Sequence, residues 1–186
     1  MDTSYAKQGN RWIVTEYSTP GYPNTMEAFS EMHASLAEGA RGLVINELMA
    51  SNRTTITDED GDYPDWIELY NGSSLPIDLS NYALSDNETK PLRWRFPKGA
   101  VIQPGEYYLL FASGKNRPGG DGLHPHTNFR LAAEGETVTL RDIYQQTVDQ
   151  VTYDNLASDT SWGRVSRTGS AFQVFRSPTP GLPNMP

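Results

Sequence analysis

From Leu43 onward the side chains alternate in character with a period of two, and this restricts the chain more than any other feature. In Trp66-Ile67-Glu68-Leu69, Ile67 and Leu69 share one face while Trp66 and Glu68 share the other. Arg93-Trp94-Arg95-Phe96 alternates charged with aromatic residues, and Val138 and Leu140 alternate with Thr137, Thr139 and Arg141. A period of two is that of a half-buried strand. Tyr107-Tyr108-Leu109-Leu110-Phe111 is apolar on both faces, which predicts a central strand. Shorter strands are expected at 43–49, 82–85, 127–131, 147–153, 161–165 and 172–176. Turn signals at Asn71-Gly72, Lys98-Gly99, Pro104-Gly105, Pro118-Gly119-Gly120 and Glu134-Gly135 separate them. Many short strands with turns at this spacing predict an all-β, antiparallel sandwich. Trp66, Trp94, Phe96, Leu109, Phe111 and Phe129 are the expected packing residues, each worth about 1.5–3 kcal/mol if buried.

The two ends of the chain repeat each other. Asp2-Thr3-Ser4-Tyr5-Ala6-Lys7 matches Asp159-Thr160-Ser161-Trp162-Gly163-Arg164 at an offset of 157. Thr19-Pro20-Gly21-Tyr22-Pro23-Asn24 matches Thr179-Pro180-Gly181-Leu182-Pro183-Asn184 at an offset of 160. The three extra residues fall in the second copy, where Ser166-Arg167-Thr168-Gly169-Ser170 reads as a longer turn. Two matches in the same order divide the chain into three parts. Residues 1–24 are expected to be the C-terminal strands of a preceding copy, 25–42 a linker with a short helix, and 43–186 the main domain. Copies of this size stack as beads on a string.

In the linker, Phe29, Met32 and Leu36 lie on one helical face, which is expected to pack on a sandwich. Asn24 with Glu27 fits a capping box, and Gly39 fits a C-terminal stop.

Composition removes several function classes. A formal net charge of −8 repels phosphate backbones, so nucleic acid is not an expected partner. With no cysteine, disulfides, thiol catalysis and cysteine zinc sites are excluded. No apolar run approaches membrane-spanning length, so membrane insertion is not expected.

The motifs, in order, carry a family resemblance. Val44-Ile45-Asn46-Glu47-Leu48-Met49-Ala50-Ser51-Asn52 is followed by Asp65-Trp66-Ile67-Glu68-Leu69-Tyr70-Asn71, then by Ile77-Asp78-Leu79-Ser80 with Tyr82-Ala83-Leu84-Ser85-Asp86. Trp94-Arg95-Phe96-Pro97, Ile102-Gln103-Pro104-Gly105-Glu106-Tyr107 and Thr179-Pro180-Gly181-Leu182-Pro183-Asn184 complete the set. From Leu43 to Asn184 the chain resembles the lamin tail domain in its bacterial form. The resemblance implies an immunoglobulin-like β-sandwich without catalytic residues, an accessory module of a larger exported or surface protein. A signal peptide would then lie upstream. Segment 123–129 is similar to versions found beside kinase-like domains.

Candidate chemistry is sparse. Asp58, Asp60 and Asp62, with Asp65 closing the run Asp58-Glu59-Asp60-Gly61-Asp62-Tyr63-Pro64-Asp65, are the candidate metal ligands, because alternate carboxylates around a glycine can wrap calcium with oxygen. The glycine stands two residues too early for an EF-hand, and a solvated loop without a cofactor is the competing reading. His124 and His126 flank Pro125 without a nearby third ligand, so a loop role is expected. Asn46 and Glu47 are odd in an apolar strand, and if buried they should tie a neighbouring loop. No Gly-x-Ser-x-Gly, phosphate loop or His-Glu-x-x-His occurs.

The expected function is a non-catalytic structural or interaction module, an adhesion or spacer domain, located extracellularly or on the cell surface. Its expected partner is a protein or polysaccharide surface. A carbohydrate-binding module and an accessory domain completing a neighbour's active site are the alternatives. Residues 1–24 add a further expectation, an oligomer formed by docking on another copy.

Overall fold

The computed structural model describes residues 4–8, 10–15, 19, 23–167 and 169–185. A hairpin of β1 (Ser4–Gln8) and β2 (Arg11–Thr15) comes first, then α1 (Met26–Gly42). The strands that follow are β3 (Leu43–Met49), β4 (Asp65–Asn71), β5 (Ile77–Asp78), β6 (Tyr82–Ser85), β7 (Trp94–Arg95), β8 (Val101–Ile102), β9 (Tyr107–Ala112), β10 (Gly135–Asp142), β11 (Thr147–Asp154), β12 (Ser161–Arg164) and β13 (Phe172–Phe175).

These strands form an immunoglobulin-like antiparallel sandwich. One sheet has the order β13-β12-β3-β4-β9, the other β11-β10-β6-β7, and β5 pairs with β8 beside them. The alternation explains the layers. Ile45, Leu48, Ile67, Leu69, Leu110 and Ala112 from the first sheet face Tyr82, Leu84, Val138, Leu140, Val151 and Tyr153 from the second, and together they make the core. Strands 43–49 and 82–85 form with the expected bounds.

The first sheet is covered on its other face as well. Trp66 is fully buried there with Met49 and Phe111, and Ile56 from the loop after β3 packs on them. This double cover accounts for one departure from expectation. Strand β9 is apolar on both faces because both are covered, yet it pairs with β4 alone among the named strands. Its far edge is met by isolated bridges from Phe111 to His126 and from Ser113 to Arg130. The residues expected as a strand at 127–131 therefore form a loop along that edge. Trp94, Phe96, Phe111 and Phe129 are buried as expected, while Leu109 is half-buried.

Helix α1 closes one end of the sandwich. Met32 and Leu36 join the core, and Phe29 packs against it. Thr25 caps the helix rather than Asn24, its Oγ1 accepting from the Ala28 N–H at 3.2 Å. The helix runs through Gly39 to Gly42. At Gly42 the chain passes so close to the next loop that a Cβ would lie 2.6 Å from the Ser73 nitrogen, which admits only glycine. No described helix is long and apolar enough to cross a membrane.

Candidate functional site

The acidic loop folds around a side chain from elsewhere. Asp58 organises it locally: its Oδ1 accepts from the Asp60 and Asp62 N–H groups, each at 3.0 Å, and its N–H donates to the Asp62 carbonyl at 2.9 Å. Gly61 takes a φ of 80°, the left-handed turn that glycine tolerates. Asp58, Asp60 and Asp62 are thereby brought within reach of one centre. Lys115, just beyond β9, places its Nζ in that centre, 2.5 Å from Asp58, 2.7 Å from Asp60 and 2.8 Å from Asp62. Desolvation opposes its charge, but the hydrogen bonds to the three carboxylates outweigh it and raise the Lys115 pKa. The same bond from Lys115 holds the Asp60 carboxyl below its ordinary range.

Asp65 stands apart from this cage. It opens β4, accepts from the Asn52 N–H at 3.5 Å, and lines an open cleft of about 450 Å³ with Ser113, Lys115 and Arg130. Burial pushes its carboxyl up to about 6. Of the four candidate ligands, then, three converge and one does not.

Beside the cage, Arg117 donates to Glu59 at 2.7 Å and pairs with Asp60 at 2.8 Å. The fully buried His126 lies between Glu59 and Ser113, with Nε2 at 3.0 Å from the carboxylate and Nδ1 at 2.8 Å from the hydroxyl. Its own backbone N–H, then Arg117 and His126, hold the Glu59 carboxyl down to about 2. The buried Ser113 Oγ also accepts from the Lys115 N–H at 3.0 Å. These three side chains tie the turn after β9 to the acidic loop. His124 packs edge-on against Phe111, and burial lowers its imidazole pKa.

A second cluster lies on the outer face of the five-stranded sheet. The register of β3 shifts between Ile45 and Glu47, a bulge that leaves Asn46 without a ladder partner. The Ile45 N–H turns instead to Asp149 at 2.7 Å, and its carbonyl accepts from Arg164 at 2.8 Å. Arg164 also pairs with Asp149 at 2.5 Å, so one bulge pins both sheets together. Glu47 lies opposite Glu68 in the ladder, and both are fully buried.

The Thr179–Asn184 segment binds this pair. Glu47 accepts from the Ser161 hydroxyl, from the Thr179 N–H at 3.3 Å and from the Thr179 hydroxyl at 3.4 Å. Glu68 accepts from the Gly181 N–H and, at 2.8 Å, from Asn46 Nδ2. Asn184 accepts from Asn46 at 3.1 Å and donates to the Arg164 carbonyl at 2.9 Å. Desolvation raises both carboxyls, that of Glu68 to about 7. Asn46 and Glu47 thus tie a neighbouring segment, as their oddness in an apolar strand predicts. Glu68 escapes sequence reasoning, because a charged residue at an alternate strand position reads as solvent-facing. Lys115 escapes it too. The available signal is a Lys-x-Arg pair after a strand in an acidic chain.

The N-terminal segment repeats this arrangement. Ser4 pairs with Thr15, Tyr5 with Val14 and Lys7 with Trp12; in β12–β13, Ser161 pairs with Phe175, Trp162 with Val174 and Arg164 with Phe172. Thr19 Oγ1 donates to Asn24 at 3.0 Å as Thr179 Oγ1 does to Asn184 at 3.3 Å. Asn24 donates to the Lys7 carbonyl at 3.1 Å as Asn184 does to that of Arg164. The three extra residues of the second copy fall in the turn between Arg164 and Phe172.

No curated protein matches the chain at a significant level. The sequence profile of the lamin tail domain matches residues 37–155, from the end of α1 through β11. That family is a non-catalytic immunoglobulin-like one, in keeping with the sandwich, and the matched residues include the bulged β3 and the Glu68 strand. The chain belongs to the lamin tail domain family.

Proposed function

We propose that the chain is a non-catalytic structural or interaction module, an adhesion or spacer unit in a tandem array on an exported protein of the cell surface. The observation that carries this reading is the second closing hairpin. A hairpin with the same register and the same two side-chain bonds as β12–β13 stands ahead of the domain it resembles. Its natural place is at the end of a preceding copy, with α1 as the link between beads. The charged groups support a structural role, because Lys115, Arg117 and His126 are each engaged with the acidic loop. The surface partner in this reading is a protein or polysaccharide on a neighbouring cell or matrix.

Small-angle scattering of the whole exported protein tests the spacer. Each copy should lengthen the particle by about 40 Å, the diameter of a globular domain of this length. A particle whose length does not grow with copy number refutes the array. Steady turnover of ester, phosphoester or glycoside substrates, lost on changing Ser113 or His126, would replace the module reading with an enzymatic one.

A further inference from the structure

The β1–β2 hairpin presents one sheet face bare. Tyr5, Trp12 and Val14 are 76%, 68% and 59% exposed. In β12–β13 the matching positions of the first two are Trp162 and Phe172, whose rings stack with centroids 6.0 Å apart and pack against the domain core. Lys7 is exposed as well, whereas its counterpart Arg164 is buried against Asp149. The aromatic pair and the cation are thus displayed at the positions that in the main domain touch the sandwich interior. The face is not that of an ordinary surface hairpin, where large apolar side chains stand singly.

Two described residues of the tail behind the hairpin are bonded as their counterparts are. Thr19 is buried and bonded to Asn24, and Asn24 reaches back to the first strand. In the main domain the corresponding tail offers its threonine N–H and hydroxyl to Glu47 and its glycine N–H to Glu68. Glu47 and Glu68 already hold Thr179 and Gly181, so this chain's own receptor is filled.

We infer that β1–β2 with its Thr19–Asn24 tail is the closing element of another sandwich of the same family, and that its partner is a strand pair bearing the counterparts of Asn46, Glu47 and Glu68. The apolar rim of that partner covers Tyr5 and Trp12, an acidic side chain in the place of Asp149 meets Lys7, and the paired carboxylates accept from the Thr-Pro-Gly tail. The partner is thus defined by chemistry that this chain itself displays in its second copy. The inference rests on the tandem reading and names the contact that joins hairpin to body. It predicts that closing elements are interchangeable between copies.

A tandem chain tests this. Residues 25–158 are placed ahead of residues 2–186, so that the leading body is followed by the N-terminal hairpin while the trailing domain stays complete. Expected are protease resistance of the leading body, a shift of Trp12 emission to shorter wavelength, and loss of its quenching by acrylamide. Glu68→Leu in the leading copy should reverse all three, with the trailing domain intact as the folding control. A matched chain in which the leading body is closed by residues 159–184 shows that the body folds ahead of a second domain. If that chain resists protease and the hairpin-closed chain does not, the inference falls. It falls also if the chain of residues 1–186 sediments as a dimer that Trp12→Ser dissociates, because the bare face then belongs to a second copy. Neither result bears on the scattering test of the array, so the two failures are separable.

Discussion

Lowering the pH from 8 to 5 should strengthen the fold through Glu68. The side chain is fully buried, and desolvation lifts its pKa from an ordinary 4.5 to about 7. A carboxyl raised in the folded state binds its proton more tightly there than in the unfolded chain. Its contribution is therefore fully present below pH 4.5 and is lost as the pH climbs through 7. Each unit is worth about 1.4 kcal/mol, so the part falling between pH 8 and 5 comes to about 2.5 kcal/mol. In melting temperature this is roughly 5–10 °C for a chain of this length. Urea unfolding at pH 5, 6, 7 and 8 of the wild type and Glu68→Gln isolates the effect, since glutamine is neutral throughout and keeps one oxygen for Asn46. Burial lowers the His124 pKa, which gives the opposite slope in the same window, and Asp65 adds its own rise toward acid pH. These two act equally in the two proteins; Glu47, which burial also raises and which lies opposite Glu68, titrates together with it, so the difference between the curves reads the buried carboxyl pair. If wild type and variant show the same slope between pH 5 and 7, the buried carboxylate is not the cause and the reasoning fails.

Other outcomes follow from the same contacts. Asn184→Ala, which removes bonds to Asn46 and the Arg164 carbonyl, should cost about 1–3 kcal/mol in chemical denaturation. Lys115→Met strands three carboxylates around an empty centre. Because two of them face solvent, the loss should be about 1–2 kcal/mol, read by differential scanning calorimetry at low salt and reduced in 1 M salt. Millimolar calcium should leave the wild-type melting temperature unchanged, since the Lys115 ammonium already holds the oxygens; a clear rise would show that the ion displaces it. Gly135→Ala should cost about 1–3 kcal/mol in thermal unfolding, because φ there is 111° and the added Cβ would lie 2.6 Å from the Tyr153 carbonyl oxygen.

Much of this architecture is legible in the residues because alternation is a local property. Leu43–Met49 and Tyr82–Ser85 could be bounded from pattern alone. The repeat was legible for the same reason, since a turn motif of six residues needs no tertiary context. What escaped is set by partners far along the chain. Strand β9 reads as central because pattern reports burial on two faces, not which edge is paired. Segment 127–131 reads as a strand because Phe129 and Leu131 alternate inward, although its backbone meets β9 only through bridges. The helix cap fell one residue away from Asn24, which is instead bonded to the hairpin. For the acidic loop, sequence supplied the ring of oxygens but not the cation at its centre, which lies 57 residues from Asp58.

The clasp on the outer sheet face carries a consequence for how the domain is made. Asn46 waits for Asn184, 138 residues later, and strand β3 for β12. A ribosome releases the glutamates early and the segment that quenches them late. Until β12 and the Thr179–Asn184 segment emerge, two carboxyls and one flank of a central strand lack their partners, although the facing strands of both layers are already made. Closure of this flank thus follows that of the rest of the core, slowed by the distance its contacts must span.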